Sequence, residues 1–380
     1  MKLNFGFNEE WKELKKFNNL NDKQRSIVFY AENKASMNHF RLLISELTKE
    51  RNFQICYVTS VKNDPILSIN DKNILAFYIG DGIVRTKFFL ELKAKILIMD
   101  MPDLDSFHIK RSKIFPVHYI YIFHSMFSVH SYLRKGAVDH YDTIFCVGEH
   151  HKREILETEK IYGLKPKKLV NYGFGRLDTL LKEQSNFKKE ELNTKNLIII
   201  APTYGNSNLL KICGVKLIET LLDSNFKVLL RPHFRIFKES KDLIKIILDK
   251  FQNNNNFLLE EGIIKPQIFH SSRCMISDWS GISLEYAFVF ERPIIYIDVP
   301  KKELNAEVDK IDLQPIEVSI REKIGYLVEP DNLTEIPNII SEINDESRAE
   351  QIRDIRSKTV FNIGKSASIG ADHITEILEK

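Results

Sequence analysis

The sequence predicts an α/β chain built from two successive doubly wound, Rossmann-like domains with an interdomain cleft, and three observations carry the prediction. From residue 26 onward, apolar runs of strand length alternate with amphipathic helical segments, the pattern of a parallel sheet covered by helices on both faces. The alternation halts in a polar stretch at 182–196, rich in Lys, Glu and Asn, and then resumes. Within the second series, residues 274–298 (CMISDWSGISLEYAFVFERPIIYID) read as a single β-turn-α-β unit.

Taken in order, residues 8–17 (NEEWKELKKF) form an amphipathic helix candidate with Trp11, Leu14 and Phe17 on one side. Such a helix either packs on the domain or lies on a membrane surface with its lysines toward the headgroups. The first strands are expected at Ser26–Tyr30, Gln54–Val58, Ile74–Tyr78, Lys95–Met99, Tyr119–Phe123 and Thr143–Val147, with a helix at Met37–Lys49. The second series is Leu197–Ala201, Lys227–Leu230, Phe257–Glu260, Cys274–Ser277 and Pro293–Asp298, with Asn253–Asn256 as a surface loop. The expected domains are therefore 1–180, a linker at 181–196, and 197–360. The last residues, 361–380, form a helix expected to pack back on the N-terminal domain.

Composition excludes several classes. The 380 residues are 43% hydrophobic, enough for two cores, and 55 Lys+Arg against 52 Asp+Glu leave a formal charge of +3, which does not suggest a nucleic-acid binder. No apolar run reaches the roughly 20 residues of a spanning helix. Glu9 and Glu10 interrupt the start where a signal peptide is apolar. A cytoplasmic protein is expected, with any membrane contact peripheral and local. The four cysteines are far apart and form no C-x-x-C pair, so they read as buried thiols and no metal site is expected. Asp103-Leu104-Asp105 has the spacing of a metal-binding pair but falls in the half away from the phosphate-type turn, and reads as a loop.

The turn after Ser277 carries the chemistry. Asp278, Ser280, Gly281, Ile282 and Ser283 lie between a buried strand and a helix expected at Leu284–Phe290, so hydroxyls, a glycine and helix N–H groups meet at a strand's C-terminal end. That is a ready site for a phosphate; the same residues also suit an ordinary capped αβ connection. Glu285, one turn into the helix, could accept hydrogen bonds from ribose hydroxyls or serve the helix dipole. Arg231 and His233 end the strand KVLLRPH, where a guanidinium can clamp phosphate oxygens and an imidazole can donate to a leaving phosphate. Thr203 and Tyr204, after another strand, offer a hydroxyl and a stacking face. His124 follows the run HYIYIF at a sheet's C-terminal edge, a position for a general base or a structural histidine. Arg176 and Asp178 lie at the domain junction, as able to brace it as to touch substrate.

The pattern S-D-W-S-G-(x)3-E-Y-A-(x)5-R-P-I-I-Y at 277–296 resembles the most recognisable segment of the CDP-glycerol glycerophosphotransferases, the teichoic-acid primases and polymerases. Trp279, Gly281 and Glu285 stand where the family usually has Tyr, Ser and Asp. Further matches keep the family's order: Phe123-His124-Ser125, Asp142–Val147 with Glu149-His150-His151, Gly173–Asp178, Ala201–Tyr204 and Arg231-Pro232-His233. A fainter match surrounds Gly364-Lys365-Ser366. The resemblance covers most of the chain after about residue 115. It implies a GT-B fold and a metal-independent, cofactor-free transfer of a polyol phosphate from CDP-glycerol or CDP-ribitol to a lipid-linked or oligosaccharide acceptor. CMP would leave. It also implies that His124 is the base and His233 acts in the transfer, with the donor held by Thr203, Tyr204, Arg231, Asp278, Ser280, Gly281, Ile282, Ser283 and Glu285. Work at the inner leaflet would draw on Trp11, Phe17, Lys12, Lys15 and Lys16, with Lys110, Arg111 and Lys113 beside Phe107 and Phe115. A GT-B glycosyltransferase using a nucleotide sugar for capsule or lipopolysaccharide synthesis, an epimerase of similar fold and a non-catalytic nucleotide-binding scaffold are the other readings.

Overall fold

A computed structural model describes residues 7–186, 196–261, 266–301, 304–343 and 345–380. The chain divides into two compact units. Unit 1 takes 1–178, 305–312 and 360–380, and unit 2 takes 179–304 and 313–359.

Unit 1 holds a seven-stranded sheet of β1 (Ile27–Ala31), β2 (Ile55–Thr59), β3 (Ile74–Tyr78), β4 (Ile96–Met99), β5 (His118–Ile122), β6 (Thr143–Cys146) and β7 (Lys168–Asn171). The order is β3-β2-β1-β4-β5-β6-β7, every neighbouring pair parallel. Unit 2 holds six parallel strands in the order β10-β9-β8-β11-β12-β13. These are β8 (Leu197–Ala201), β9 (Lys227–Leu230), β10 (Phe257–Leu259), β11 (Cys274–Ser277), β12 (Ile294–Ile297) and β13 (Gly325–Val328). In each sheet the order reverses once, between β1 and β4 and between β8 and β11, as the doubly wound reading requires. Chains leave the two strands at a reversal toward opposite faces, which opens a crevice at the strands' carboxyl ends. Central strands are buried on both faces, which is why they read as continuous apolar runs.

Two strands escaped the sequence reading. β7 (KLVN) and β13 (GYLV) are sheet edges, only partly buried, so neither carries a long apolar run. Gly325 starts β13 against the backbone of Ile294, where a Cβ would collide. The helix expected at Met37–Lys49 is α-helical only over Ser36–Ser45 and continues as a π turn at Glu46–Glu50.

The N-terminal helix Phe7–Asn18 packs on unit 1. Phe17 is 1% exposed and meets Phe77 and Phe88 edge-on, at centroid distances of 5.6 and 5.2 Å. That burial removes Phe17 from any membrane-facing set, whereas Trp11 stays 40% exposed. In the second basic segment Phe107 is exposed, but Arg111 is tied to Asp142 at 3.0 Å and Lys110 donates to Asp105 O. No helix among the described residues is long and apolar enough to cross a membrane.

Residues 305–312, inside the range expected for the second domain, pack in unit 1. Asn305 Nδ2 donates to His130 O at 2.9 Å, and the Glu307 carboxylate takes Lys135 and the Tyr162 hydroxyl, each at 2.9 Å. Most of the expected linker, 187–195, lies outside the described residues. The closing helix Ser366–Glu379 inserts Ala371 and Ile374 into the unit 1 core beside Leu43, Phe145 and Tyr172. Its approach needs Gly173, whose φ of +99° suits glycine and where a Cβ would strike the Phe361 carbonyl oxygen. Gly173→Ala should therefore destabilise the protein by about 1–3 kcal/mol in chemical denaturation; a midpoint like that of the parent would contradict this packing.

Candidate functional site

In unit 2 the reversal places the ends of β8 and β11 side by side, with Ser277 paired to Ala201. The Asp278 carboxylate spans the crevice: Oδ1 accepts from Thr203 N at 2.7 Å and Oδ2 from Leu209 N at 2.9 Å. Ser277 Oγ donates to Ala201 O at 2.7 Å. Burial raises the Asp278 carboxyl to about 6, against the backbone N–H groups that pull it down. Asp278 therefore builds the turn, and its oxygens are occupied by the protein itself. Ser283 is likewise buried, its hydroxyl donating to Ser280 O at 2.8 Å and accepting from Tyr296 at 3.2 Å. Both side chains make their hydrogen bonds within the protein and so support the backbone of the turn. Thr203 is buried too, and contributes its N–H to Asp278.

Ser280, Gly281 and Ile282 are half-buried at the start of the helix Ile282–Phe290, and Glu285 is half-buried in its first turn. Trp279 fixes the turn's other flank. Its Nε1 donates to Val299 O at 2.9 Å, and its ring carries the guanidinium of Arg321 at 4.1 Å, itself paired to Asp298 at 2.7 Å. Nothing in the local sequence marks Arg321, which comes from a distant helix.

Tyr204 and His233 do meet. Their ring centroids are 4.5 Å apart, with Phe234 on the far side of His233 at 4.4 Å and Arg235 over Tyr204 at 4.2 Å. His233 Nδ1 accepts from Arg235 N at 3.3 Å, so in the neutral ring Nε2 carries the hydrogen and can donate. Arg231 lies over the Phe269 ring at 5.9 Å. Phe234 and Arg235 were missed by the sequence reading, although both follow directly on the RPH run.

In unit 1, His124 stands just past the end of β5. Its Nδ1 donates to Asp100 O at 3.3 Å, which leaves Nε2 with the lone pair a base needs. Burial pushes its proton affinity below the usual histidine value, and the Asp100 carbonyl partly offsets this. The Asp100 carboxyl, raised to about 7 by burial, accepts from Ser36 Oγ at 2.9 Å across the β1/β4 reversal. His39, also missed by the sequence reading, sets its ring 6.4 Å from that of His124 and 5.9 Å from that of Phe174.

The loop after His124 is held by the helix Glu149–Tyr162. His150 Nε2 donates to Met126 O at 2.9 Å and His151 Nε2 to Phe127 O at 2.8 Å, while Glu154 accepts from the N–H groups of Val129 and His130. Both imidazoles are buried, and burial keeps them neutral. The Glu149-His150-His151 run thus positions the His124 loop.

Asp178 is a brace. Its carboxylate accepts from Gly364 N at 2.7 Å and from the N–H and hydroxyl of Ser366, which fixes the start of the closing helix. Both of its oxygens make this contact within unit 1. Arg176, two residues earlier, lies close enough to His39 to help depress its proton affinity. Asp103 and Asp105 form a loop as expected, Asp103 paired with Arg134 at 2.7 Å and Asp105 accepting from Arg111 N at 3.2 Å.

A family model described as CDP-glycerol:poly(glycerophosphate) glycerophosphotransferase matches residues 13–305. The chain belongs to this family. It is therefore an enzyme, a glycerophosphotransferase of the CDP-glycerol class. No curated protein matches. Among solved structures, the wall teichoic acid polymerase TagF, in a substituted form soaked with CDPG, superposes with a TM-score of 0.62 at 16% identity, over 98% of this chain and 94% of that one. The UDP-GlcNAc 2-epimerase from Neisseria meningitidis gives 0.60 at 14% identity, over 92% and 99%. That from Methanocaldococcus jannaschii gives 0.55 at 14%, over 93% and 99%. These similarities show a GT-B-like fold for the transferase. They also explain why an epimerase was a competing reading from fold alone.

Asp278→Asn should test the turn. An amide would present hydrogens to one of two backbone donors, leaving a buried N–H unmet at a cost of about 1–3 kcal/mol. Urea unfolding of the transferase should move accordingly, and unchanged stability would show that Asp278 does not hold the crevice together.

Proposed function

We propose that the enzyme moves glycerol phosphate from CDP-glycerol to a terminal hydroxyl of a poly(glycerophosphate) chain on a lipid-linked or growing cell-surface glycan, as in teichoic-acid synthesis, releasing CMP. The acceptor oxygen attacks the phosphorus that bears glycerol. A new P–O bond forms, the P–O bond to the CMP phosphate breaks, and the hydroxyl proton passes to His124 Nε2. The observation that carries the reading, beyond family membership, is the hydrogen bond from His124 Nδ1 to Asp100 O, which presets the tautomer with a basic Nε2.

On the nucleotide side, the N-terminal turn of the helix Ile282–Phe290 receives the pyrophosphate. Asp278 and Ser283 hold that turn, and Arg231 and the Nε2–H of His233 oppose the charge that develops on the leaving CMP. Tyr204 keeps the His233 ring in its plane of approach. The scheme assigns no step to a metal ion or cofactor.

His124→Ala should lower turnover by about 10²–10⁴-fold with little change in CDP-glycerol affinity. In the parent enzyme the base is active when neutral, and burial holds it neutral below the ordinary histidine range. The acid limb of kcat/KM against pH should therefore fall below the usual 6.5. Turnover within about threefold of the parent, or an acid limb above 6.5, would remove His124 from this role.

A further inference from the structure

We propose that unit 1 carries an anion site of its own, formed by His39, Arg176 and the N-terminal turn of the helix Gly175–Gln184, which takes the acceptor's phosphodiester beside the hydroxyl that reacts. The inference rests on the reading of unit 1 as the acceptor side and deepens it by naming what the acceptor must carry.

The observation that points to a ligand is His39. The residue is 7% exposed, and its Nδ1 is buried with no hydrogen-bond partner among the described residues. A buried ring nitrogen left unmet costs about 1–3 kcal/mol, and such atoms in native proteins call for a reason. The place supplies one. His39 lies between the base and the start of the helix Gly175–Gln184, with its ring near both His124 and Phe174. A Cβ added to Gly175 would lie 3.6 Å from the His39 carbonyl oxygen.

The charges around it favour an anion. The helix N-terminus contributes partial positive charge and Arg176 a full one. Burial, then repulsion from His124 and Arg176, keep the His39 ring neutral. The facing carboxyl groups are engaged, Asp100 by Ser36 and Asp178 by Gly364 and Ser366. A phosphodiester oxygen would accept from the His39 nitrogen and from Arg176, the latter in a charge-assisted bond. In poly(glycerophosphate) such a diester stands one glycerol unit from the terminal hydroxyl. The 6.4 Å between the His39 and His124 rings is a separation that one such unit can span.

The test compares two acceptors, glycerophosphoglycerol and a phosphate-free glyceryl glycoside, in the parent enzyme and in His39→Gln and Arg176→Gln. The expected result is that each variant raises KM for the diester acceptor about tenfold more than for the neutral one, the loss of one charge-assisted contact. A second measurement does not need turnover: glycerophosphoglycerol, titrated without donor, should shift the His39 imidazole signals in ¹H–¹⁵N spectra of the parent. Inorganic phosphate should shift them more weakly. Equal effects on both acceptors, or no shift with either titrant, would overturn the proposal. A shift with the diester but no glycerol phosphate transfer to it would leave the site standing and refute the functional reading instead.

Discussion

A carboxylate bridges the point where each sheet reverses its strand order, and the candidate groups within each unit depend on it. Asp278 follows β11 and reaches the β8 loop; Asp100 follows β4 and reaches Ser36 at the start of the helix after β1. A reversal parts the connections and opens a crevice lined by strand ends and helix starts. The backbone groups exposed there must be satisfied if the crevice is to keep one shape. In unit 2 Asp278 does this for the N–H groups of Thr203 and Leu209, while in unit 1 Asp100 ties down the Ser36 hydroxyl; both carboxyls are desolvated, and burial raises Asp100 to about 7 and Asp278 to about 6.

The consequences differ between the units. In unit 2 the bridge holds the turn that begins the helix Ile282–Phe290, so backbone N–H groups are presented in place. In unit 1 the same residue also orients His124, because it is the Asp100 carbonyl that receives Nδ1–H. His150, His151 and Glu154 secure the rest of that loop through its carbonyl and N–H groups. Phosphoryl transfer asks mostly for positioning and preorganised charge. An imidazole of set tautomer and a fixed helix start suit such chemistry.

The sheet architecture could be read from the chain because buried parallel strands are continuous apolar runs, and the site region because its residues cluster at strand ends. The fold brings Tyr204 and His233, each at a strand end, ring to ring. What could not be read depends on contacts distant in sequence. β7 and β13 are edges without the apolar signature. Residues 305–312 join unit 1 through Asn305 and Glu307, polar side chains that carry no periodic pattern. The partners of Asp278, Ser283 and Asp178 could not be read either, because a capping carboxylate or hydroxyl and a binding one look alike until their contacts are known. His39 sits on an ordinary amphipathic helix, and only the fold brings it to His124.

The central claim is a glycerophosphoryl transfer in which the bond to CMP is the one that breaks. Its most direct test is to incubate the enzyme with CDP-glycerol and a poly(glycerophosphate) acceptor and to separate the nucleotides formed by anion exchange. The account predicts one CMP for each glycerol phosphate added to the polymer. Release of CDP, or consumption of CDP-glycerol without extension of the acceptor, would contradict it.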